Sequence, residues 1–312
     1  MNALADIEII ELSNQVLGQK PAHFEFLGAG MFSRAYLLET GGERIVLRIG
    51  SNYTPFLKDE WAANLFTGSS IPVPEVLAKG PLGNYFFCFT PFKEGTRFDK
   101  LDPIEIEKHL SALFQAHDLI AEVQFSTDTK FGFLDPAGHG IYETWGDALT
   151  NFNDWPQMIL SRKGERFLDW DTIFKQTILD EDLARTCMST INSLLPYCPD
   201  KRGLIHGDFG FDNLLVSQGE VSAVLDWAES RCGDPLYDIA SLQCHGKNVN
   251  YRGAYRNWLI NKSQLPVNYE ARMNCYMIHI ALCGCWLDAQ RGFEDYYEDG
   301  KKLLEMLLQD CS

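Results

Sequence analysis

The chain has 312 residues, of which 46% are hydrophobic, and no repeat or low-complexity tract interrupts it, so its length suits one folded unit of two lobes. Its 43 acidic and 27 basic residues give a formal net charge of −16, which argues against binding nucleic acid through phosphate contacts. The cysteines are scattered without a Cys-x-x-Cys pair, and the acidic start lacks a hydrophobic signal segment. The apolar stretches are too short to span a bilayer. These features predict a cytoplasmic protein that does not act at a membrane.

Three short strands separated by turns are predicted near the start of the chain. They cover residues 23–27, 34–38 and 44–49. The turn after the first strand contains Gly28 and Gly30 and is followed by Ser33. Glycines between two strands let backbone N–H groups approach phosphate oxygens closely, so these three residues are predicted to bind nucleotide phosphates.

Arg48, in the third predicted strand, is a candidate for neutralising phosphate charge. A guanidinium group stays charged and can bind two phosphate oxygens at once, although an arginine in a strand can also simply face solvent. The next segment, residues 54–66, predicts a helix that opens on a threonine cap followed by proline. A carboxylate of this helix is expected to pair with Arg48, with Glu60 as the first candidate and Asp59 as the second.

An apolar strand is predicted over residues 84–92 and runs into a proline-containing linker. In a two-lobed nucleotide enzyme this segment would join the lobes, with its backbone facing adenine and the side chains of Phe89 and Phe92 sandwiching the ring. An ordinary buried strand would have the same composition. The predicted nucleotide-binding lobe is residues 1–92, and the predicted catalytic and acceptor-binding lobe is residues 93–312.

From residue 102 onward the pattern becomes helical. Helices are predicted over residues 102–123, 142–153 and 180–195, each from apolar residues at helical spacing or from a capping signal. A small antiparallel-sheet lobe followed by a larger, mainly helical lobe is therefore the predicted α+β architecture.

The most informative segment begins at His206. Phosphoryl transfer needs an aspartate that accepts the hydroxyl proton, together with an amide and a carboxylate that hold Mg²⁺ on the nucleotide phosphates. Asp208 fits the first role, and Asn213 and Asp226 fit the two metal roles. Two short apolar strands around a turn at residues 217–220 predict a hairpin that returns Asp226 to the side of Asn213. His206 is assigned a supporting role.

These motifs resemble the aminoglycoside phosphotransferase family, whose members have a two-lobed protein-kinase-like fold. The resemblance rests on His-Gly-Asp-x-x-x-x-Asn, on Asp226 followed by tryptophan, and on Gly-Asp-Pro at residues 233–235. Protein kinases carry Asp-Phe-Gly at the position of Asp226 and Ala-Pro-Glu further on, where this chain reads differently. The resemblance implies transfer of the γ-phosphate of ATP to a small-molecule hydroxyl with the help of Mg²⁺, and GTP in place of ATP stays possible.

Among aminoglycoside kinases, the chain is most similar to those that phosphorylate hygromycin B, on residues 71–77, 131–133 and 142–145. That similarity implies an aminoglycoside or aminocyclitol acceptor such as hygromycin B, and an antibiotic-resistance enzyme. Asp212 stands where that subfamily has a second asparagine, and residues 241–246 replace an aromatic-rich stretch. Both segments border the acceptor site, so the identity of the acceptor stays open.

Three carboxylates near the catalytic segment are the candidates for binding a cationic acceptor: Asp212, Glu229 and Asp234. Asp234 can instead brace the catalytic loop, because it precedes a proline in a turn. Asp238 is predicted to support the structure by capping the helix that starts at Ile239.

Three alternative functions remain. The chain could be a metabolite kinase of the same fold, acting on choline, homoserine or a sugar; a nucleotide-binding pseudoenzyme that regulates a partner; or a scaffold without catalysis. A panel of acceptors separates the first, ATP binding without turnover identifies the second, and failure to bind Mg-ATP identifies the third. The predicted partner is a small, cationic hydroxyl compound, and the predicted assembly is a monomer or weak dimer.

Overall fold

The structure, a computed structural model, describes residues 6–30, 33–152, 167–246 and 249–311. Its first part is a five-stranded antiparallel sheet in the order β1-β2-β3-β5-β4. The elements of this part are α1 (Asp6–Leu17), β1 (His23–Ala29), β2 (Ser33–Thr40), β3 (Glu43–Gly50), α2 (Thr54–Leu65), β4 (Ala78–Leu82) and β5 (Tyr85–Pro91). The three predicted strands, the helix after them and the strand before the linker are all present.

One face of this sheet forms its own hydrophobic core against α1. Leu38 and Leu47 are fully buried there, together with Ile9 and Leu12 of the helix. Helix α1 was not predicted, although Ile9, Leu12 and Val16 lie at helical spacing. The core holds the strands in fixed register, so the other face of the sheet is available for a site.

Helix α2 begins at Thr54, with Pro55 in its first turn, where a missing N–H group does no harm. The threonine lies inside the helix and does not cap it: the preceding residue is Tyr53, and the Thr54 N–H group donates to Asn52 Oδ1 at 3.0 Å. The buried residues of the helix include two charged ones, Lys58 and Asp59.

The second part of the structure is mainly helical. Its helices are α3 (Pro103–Ala121), α4 (Trp145–Thr150), α5 (Ile173–Gln176), α6 (Glu181–Leu194), α7 (Leu236–His245), α8 (Tyr251–Asn261), α9 (Tyr269–Arg291) and α10 (Glu294–Gln309). Asp102 caps α3 in a reciprocal pair with Glu105. Helix α4 starts later than predicted because Thr144 caps it, and residue 153, the predicted end, lies outside the described residues.

Two small sheets complete the second part. Their strands are β6 (Thr96–Arg97), β7 (Gly132–Phe133), β8 (Gly203–Ile205), β9 (Leu214–Ser217), β10 (Glu220–Val224) and β11 (Arg231–Gly233), in the orders β10-β9-β6 and β7-β11-β8. Strands β9 and β10 form the predicted hairpin, with Val216 opposite Val221. The lobe boundary at residue 92 stays a prediction.

Helix α9 runs through the core of this second part. Cys275, Cys283 and Cys285 are buried along it and pack as small apolar side chains. In the described parts of the chain, no helix combines the length and the apolar character needed to cross a bilayer.

Candidate active site

A cavity of about 500 Å³ opens between the five-stranded sheet and the β9–β10 hairpin. Small-molecule sites typically measure roughly 300–1,000 Å³. Ala35 and Val46 line the cavity from the sheet, and Leu215 and Val224 line it from the hairpin, so apolar walls bound it on two sides. These four residues were not predicted. The signal that could have found them is strand alternation. The sequence neighbours of Val46 and Leu215 are buried and lie on the opposite side of each strand, so Val46 and Leu215 face the cavity.

The glycine turn after β1 covers one side of this cavity. Gly28, Gly30 and Ser33 all line it, and the Gly30 N–H group donates to the Ser33 carbonyl at 2.9 Å. Among the described residues outside the turn, no atom lies within 4 Å of the point where a Cβ atom of either glycine would project. Bare backbone therefore borders open cavity, which is the condition for close approach of a phosphate group.

Phe89, predicted to sandwich an adenine ring, faces away from the cavity. Phe87 and Phe89 pack in the core of the sheet with ring centroids 5.6 Å apart, whereas Thr90 lines the cavity. The prediction for Phe89 is wrong because the pleat of β5 puts its side chain on the core face. Phe92, just past the strand, does line the cavity, and its ring centroid lies 3.8 Å from the Arg44 guanidinium.

Arg48 lines the cavity and pairs with α2, but not through Glu60. Its guanidinium donates to Asp59 Oδ2 at 2.8 Å, while Glu60 binds Lys79 at 2.6 Å. Successive helix residues are turned by about 100°, so only one of two adjacent carboxylates can face β3, and the first-choice prediction of Glu60 is wrong. Burial by itself would lower the pKa of Arg48, yet the carboxylates of Asp59 and Asp226 raise it, which keeps the guanidinium charged beside the cavity.

Asp59→Ala and Glu60→Ala form a matched pair of variants, since each removes one carboxylate from the same turn of α2. Hydrogen bonds to charged groups contribute about 1.5–3 kcal/mol, which corresponds to tenfold or more in affinity. We expect Asp59→Ala to weaken nucleotide binding by that factor because it releases Arg48, and Glu60→Ala to change it little. Titration calorimetry with a non-hydrolysable ATP analogue measures both, and equal effects would contradict the assignment.

The side chains of Asp208 and Asn213 are hydrogen-bonded to each other in the loop between β8 and β9. The Asn213 amide nitrogen donates to Asp208 Oδ2 at 2.7 Å and to the Asp208 carbonyl at 3.0 Å. His206 secures the loop from behind: its Nε2 lies 3.0 Å from the Leu225 carbonyl, and its Nδ1 accepts the Asp208 N–H group at 3.3 Å. Burial lowers the pKa of His206, in keeping with a neutral ring that donates through Nε2.

The hairpin brings Asp226 back beside Asn213. The Leu225 N–H group donates to the Asn213 carbonyl at 2.8 Å and closes the base of the hairpin. Asp226 has a left-handed backbone conformation with φ of 57°, which residues other than glycine adopt rarely. The tight return therefore depends on a conformation that the surroundings must hold.

The side-chain oxygens of Asn213 and Asp226 fit a magnesium ion. Asn213 uses its amide nitrogen for Asp208, which leaves its oxygen for a cation, and Asp226 lines the cavity. Mg²⁺ prefers oxygen ligands and is usually held by one or two side chains together with substrate phosphates. Across the described ranges, no group of three or more His, Cys, Asp or Glu side chains is placed to hold a metal ion. A Mg²⁺ ion here would need phosphate oxygens to complete its coordination.

Other carboxylates surround Asp208. Although solvent reaches this side chain, desolvation by the nearby protein and the charges of Glu229, Asp226 and Asp212 raise the pKa of Asp208 to about 8. Glu229 is partly exposed, and Asp212 is exposed on the cavity rim, 3.8 Å from Arg97. Glu229 and Asp212 are thus near Asp208, and their role in binding the acceptor stays a prediction.

This pKa predicts a pH-dependent stability difference in the metal-free protein. Below about pH 4 the carboxyl is neutral in both the folded and the unfolded chain. Between about pH 4 and the folded-state pKa of about 8, the Asp208 carboxyl keeps its proton in the folded chain but loses it in the unfolded chain. The contribution of Asp208 to stability therefore falls as pH rises through this range. Asp208→Asn should therefore raise Tm at pH 8 and change it little near pH 4. Calorimetry in EDTA measures this, and a difference independent of pH would contradict it.

Asp234 is fully buried inside the second part of the structure. Its two oxygens accept from the Arg272 guanidinium at 2.7 and 2.8 Å, and one also accepts from the Tyr276 hydroxyl at 2.6 Å. The prediction that Asp234 binds the acceptor is wrong, because its carboxylate is fully engaged with α9. These contacts join Asp234 to α9 and not to the loop that contains Asp208, so its alternative role as a brace of that loop stays a prediction.

Asp238 supports the loop that contains Asp208, but not as a helix cap. Its carboxylate accepts the backbone N–H groups of His206 and Gly207, each at 2.8 Å. Helix α7 already begins at Leu236, so Asp238 lies within its first turn and the capping prediction is wrong. Gly207 has φ of +89°, and a Cβ atom there would lie 2.2 Å from the Glu229 carbonyl oxygen, so the loop requires glycine at this position.

The chain is similar to known proteins in sequence. A family model described as "Phosphotransferase enzyme family" matches residues 23–267. Hygromycin-B 4-O-kinase of Escherichia coli is 29% identical over 269 residues, which cover 82% of this chain and 72% of that protein.

Solved structures are similar as well. A thermostable mutant of aminoglycoside phosphotransferase APH(4)-Ia, in ternary complex with AMP-PNP and hygromycin B, is 25% identical with a TM-score of 0.80, covering 97% of this chain and 98% of that one. The GDP complex of a mutant aminoglycoside 2'-phosphotransferase-IIIa is 15% identical with a TM-score of 0.68, covering 96% and 95%. The second likeness shows the shared fold alone.

Proposed function

We propose that this chain, which belongs to the phosphotransferase enzyme family and is a small-molecule kinase, transfers the γ-phosphate of ATP to a hydroxyl group of an aminoglycoside or aminocyclitol antibiotic such as hygromycin B. The main observation in support of this reaction is the hydrogen bond between Asp208 and Asn213, together with the position of Asp226 beside Asn213. It supports a proton acceptor and two metal ligands at the base of one hairpin, as phosphoryl transfer requires. The acceptor rests on the hygromycin kinases to which the chain is similar.

The nucleotide would occupy the cavity between the sheet and the hairpin. Adenine would lie between the apolar walls formed by Val46 and Leu215, with the backbone of residues 90–92 at its edge. The phosphates would lie under the turn that contains Gly28 and Gly30. Arg48 would add a fixed positive charge beside them, because Asp59 holds its guanidinium at the cavity wall.

Asn213 and Asp226 would hold Mg²⁺ together with phosphate oxygens, and the ion when bound supplies positive charge that offsets the phosphate charge. Asp208 would accept the proton of the acceptor hydroxyl. Because Asn213 binds Asp208 Oδ2, the other carboxylate oxygen, Oδ1, is the one left to take this proton. His206 would keep the loop in place through its two ring nitrogens.

Glu229 and Asp212 would bind amino groups of a cationic acceptor. Both carboxylates are reached by solvent and both influence the pKa of Asp208, so they lie close to the reacting hydroxyl. Neutral acceptors would lose this attraction.

The proposal is tested with a panel of acceptors and purified protein in Mg-ATP, with GTP as a second donor. The panel contains hygromycin B, other aminoglycosides, choline, homoserine and simple sugars, and Asp208→Asn is the control. Turnover on hygromycin B that is about 10²-fold or more slower with the control would support the proposal. Turnover only on a metabolite would replace the acceptor, nucleotide binding without turnover would favour a pseudoenzyme, and no binding of Mg-ATP would favour a scaffold.

A further inference from the structure

Lys58, in α2, is only 3% exposed although its charge is unfavourable to remove from water. Its Nζ donates to the Ala228 carbonyl at 2.5 Å and to the Ser230 carbonyl at 3.4 Å. Both carbonyls belong to the turn that follows Asp226. Two of the three donors of the ammonium group are therefore directed at the backbone next to the candidate metal ligand.

Asp59, the next residue of α2, binds the same turn, but as a hydrogen-bond acceptor where Lys58 is a donor. Its Oδ1 accepts the Trp227 N–H group at 2.9 Å, while its Oδ2 accepts from Arg48. Lys58 thus binds carbonyl groups of the turn, and Asp59 binds an amide group. Three hydrogen bonds from two adjacent helix residues join α2 to the chain directly after Asp226.

Asp226 needs such support. Its φ and ψ angles of 57° and 79° are unfavourable for a residue with a Cβ atom and persist only where neighbouring contacts impose them. Its own contact with the turn is weak, since its Oδ1 accepts from the Ala228 N–H group at 3.4 Å. Two of the three contacts from α2, at 2.5 and 2.9 Å, are shorter, and all three come from a helix, so they are better suited to fix the turn.

We propose that Lys58 is a positioning residue for Asp226: by holding the carbonyls of Ala228 and Ser230 it fixes the turn that directs the Asp226 carboxylate to the metal ion on the nucleotide. This inference rests on the proposed function only in that Asp226 binds Mg²⁺, and it does not depend on the acceptor. Without the ammonium group, the turn can rotate the carboxylate away. Metal-dependent nucleotide binding should then weaken, while metal-independent binding through the apolar walls and Arg48 is kept.

Titration calorimetry with AMP-PNP in Mg²⁺ and in EDTA tests this. Lys58→Met keeps the apolar stem and removes the charge, and Lys79→Met is the matched control, because Lys79 binds Glu60 on the same helix without reaching the turn. In EDTA, we expect the AMP-PNP affinities of wild type and both variants to agree within about twofold. The gain in affinity on adding Mg²⁺ should fall about tenfold in Lys58→Met alone, as expected for loss of one charged hydrogen bond.

An unchanged gain in Lys58→Met, or an equal loss in Lys79→Met, would overturn the proposal. No gain from Mg²⁺ in the wild-type protein would overturn the metal site and this inference together. The expected contrast in a protein that phosphorylates no acceptor would support Lys58 and reject the proposed function, so the two failures are distinguishable.

Hydrogen exchange of the metal-free protein gives a second readout. The amides of residues 227–230 should exchange faster in Lys58→Met than in wild type, and at the wild-type rate in Lys79→Met. If Lys58→Met does not fold, Lys58→Gln, which keeps one donor, replaces it in both measurements. Failure of both variants to fold would overturn the positioning role in favour of a purely structural one.

Discussion

Asp208→Asn is expected to lower kcat by about 10²- to 10⁴-fold, which is the usual contribution of a positioned general base. The amide cannot accept the hydroxyl proton. It occupies the same space, and it leaves Arg48 and Asp226, which line the nucleotide cavity, unchanged. Steady-state kinetics should therefore show the loss in kcat, and calorimetry should show nucleotide affinity close to that of wild type.

Asp212→Asn is the matched control for this result. It removes the same charge from the same loop but leaves the proton acceptor in place. Because Asp212 is exposed on the cavity rim, its loss should raise KM for a cationic acceptor and have a smaller effect on kcat. A kcat for Asp208→Asn close to that of wild type would remove Asp208 from the mechanism.

Asp234→Ala is expected to destabilise the folded chain by about 3–5 kcal/mol, the usual effect of removing one partner from a buried ion pair. The side chains of Asp234 and Arg272 are 1% and 6% exposed, so the arginine would be left charged and unpaired inside the protein. The Tyr276 hydroxyl would lose its acceptor as well. Urea unfolding measures the change in the free energy of unfolding.

Glu270→Ala provides the comparison with an exposed ion pair. Glu270 is 53% exposed and pairs with Arg252, and exposed pairs contribute about 0–1 kcal/mol. The double variant Asp234→Asn with Arg272→Met should recover much of the lost stability, because it leaves no unpaired charge. A loss for Asp234→Ala as small as that for Glu270→Ala would contradict a structural role for Asp234.

Local patterns were sufficient for much of the fold and for the grouping of Asp208, Asn213 and Asp226. The strands β1 to β3 follow from alternation between turn signals, and α3 and α6 follow from aspartate caps at Asp102 and Asp180. Asp208, Asn213 and Asp226 could be grouped because a short hairpin alone brings them together. Their spacing in sequence fixes their spacing in the fold.

Features that depend on tertiary packing could not be predicted in the same way. Whether Asp59 or Glu60 meets Arg48 depends on how α2 is rotated against the sheet, and the side to which Phe89 points depends on which face of β5 is covered by α1. Asp234 is bound by Arg272, which lies 38 residues further along the chain, so its carboxylate is not available to a ligand. Long-range partners of this kind leave no local signal.

The proposed function is tested most directly by analysing hygromycin B after incubation with the purified protein and Mg-ATP. Mass spectrometry and ³¹P NMR would identify the product. We expect one added phosphoryl group, present as a phosphate monoester on a hydroxyl, and formation of this product about 10²- to 10⁴-fold more slowly with Asp208→Asn. Unmodified hygromycin B after full incubation would contradict the proposed acceptor, and the same phosphate monoester formed by Asp208→Asn at the wild-type rate would contradict the proposed mechanism.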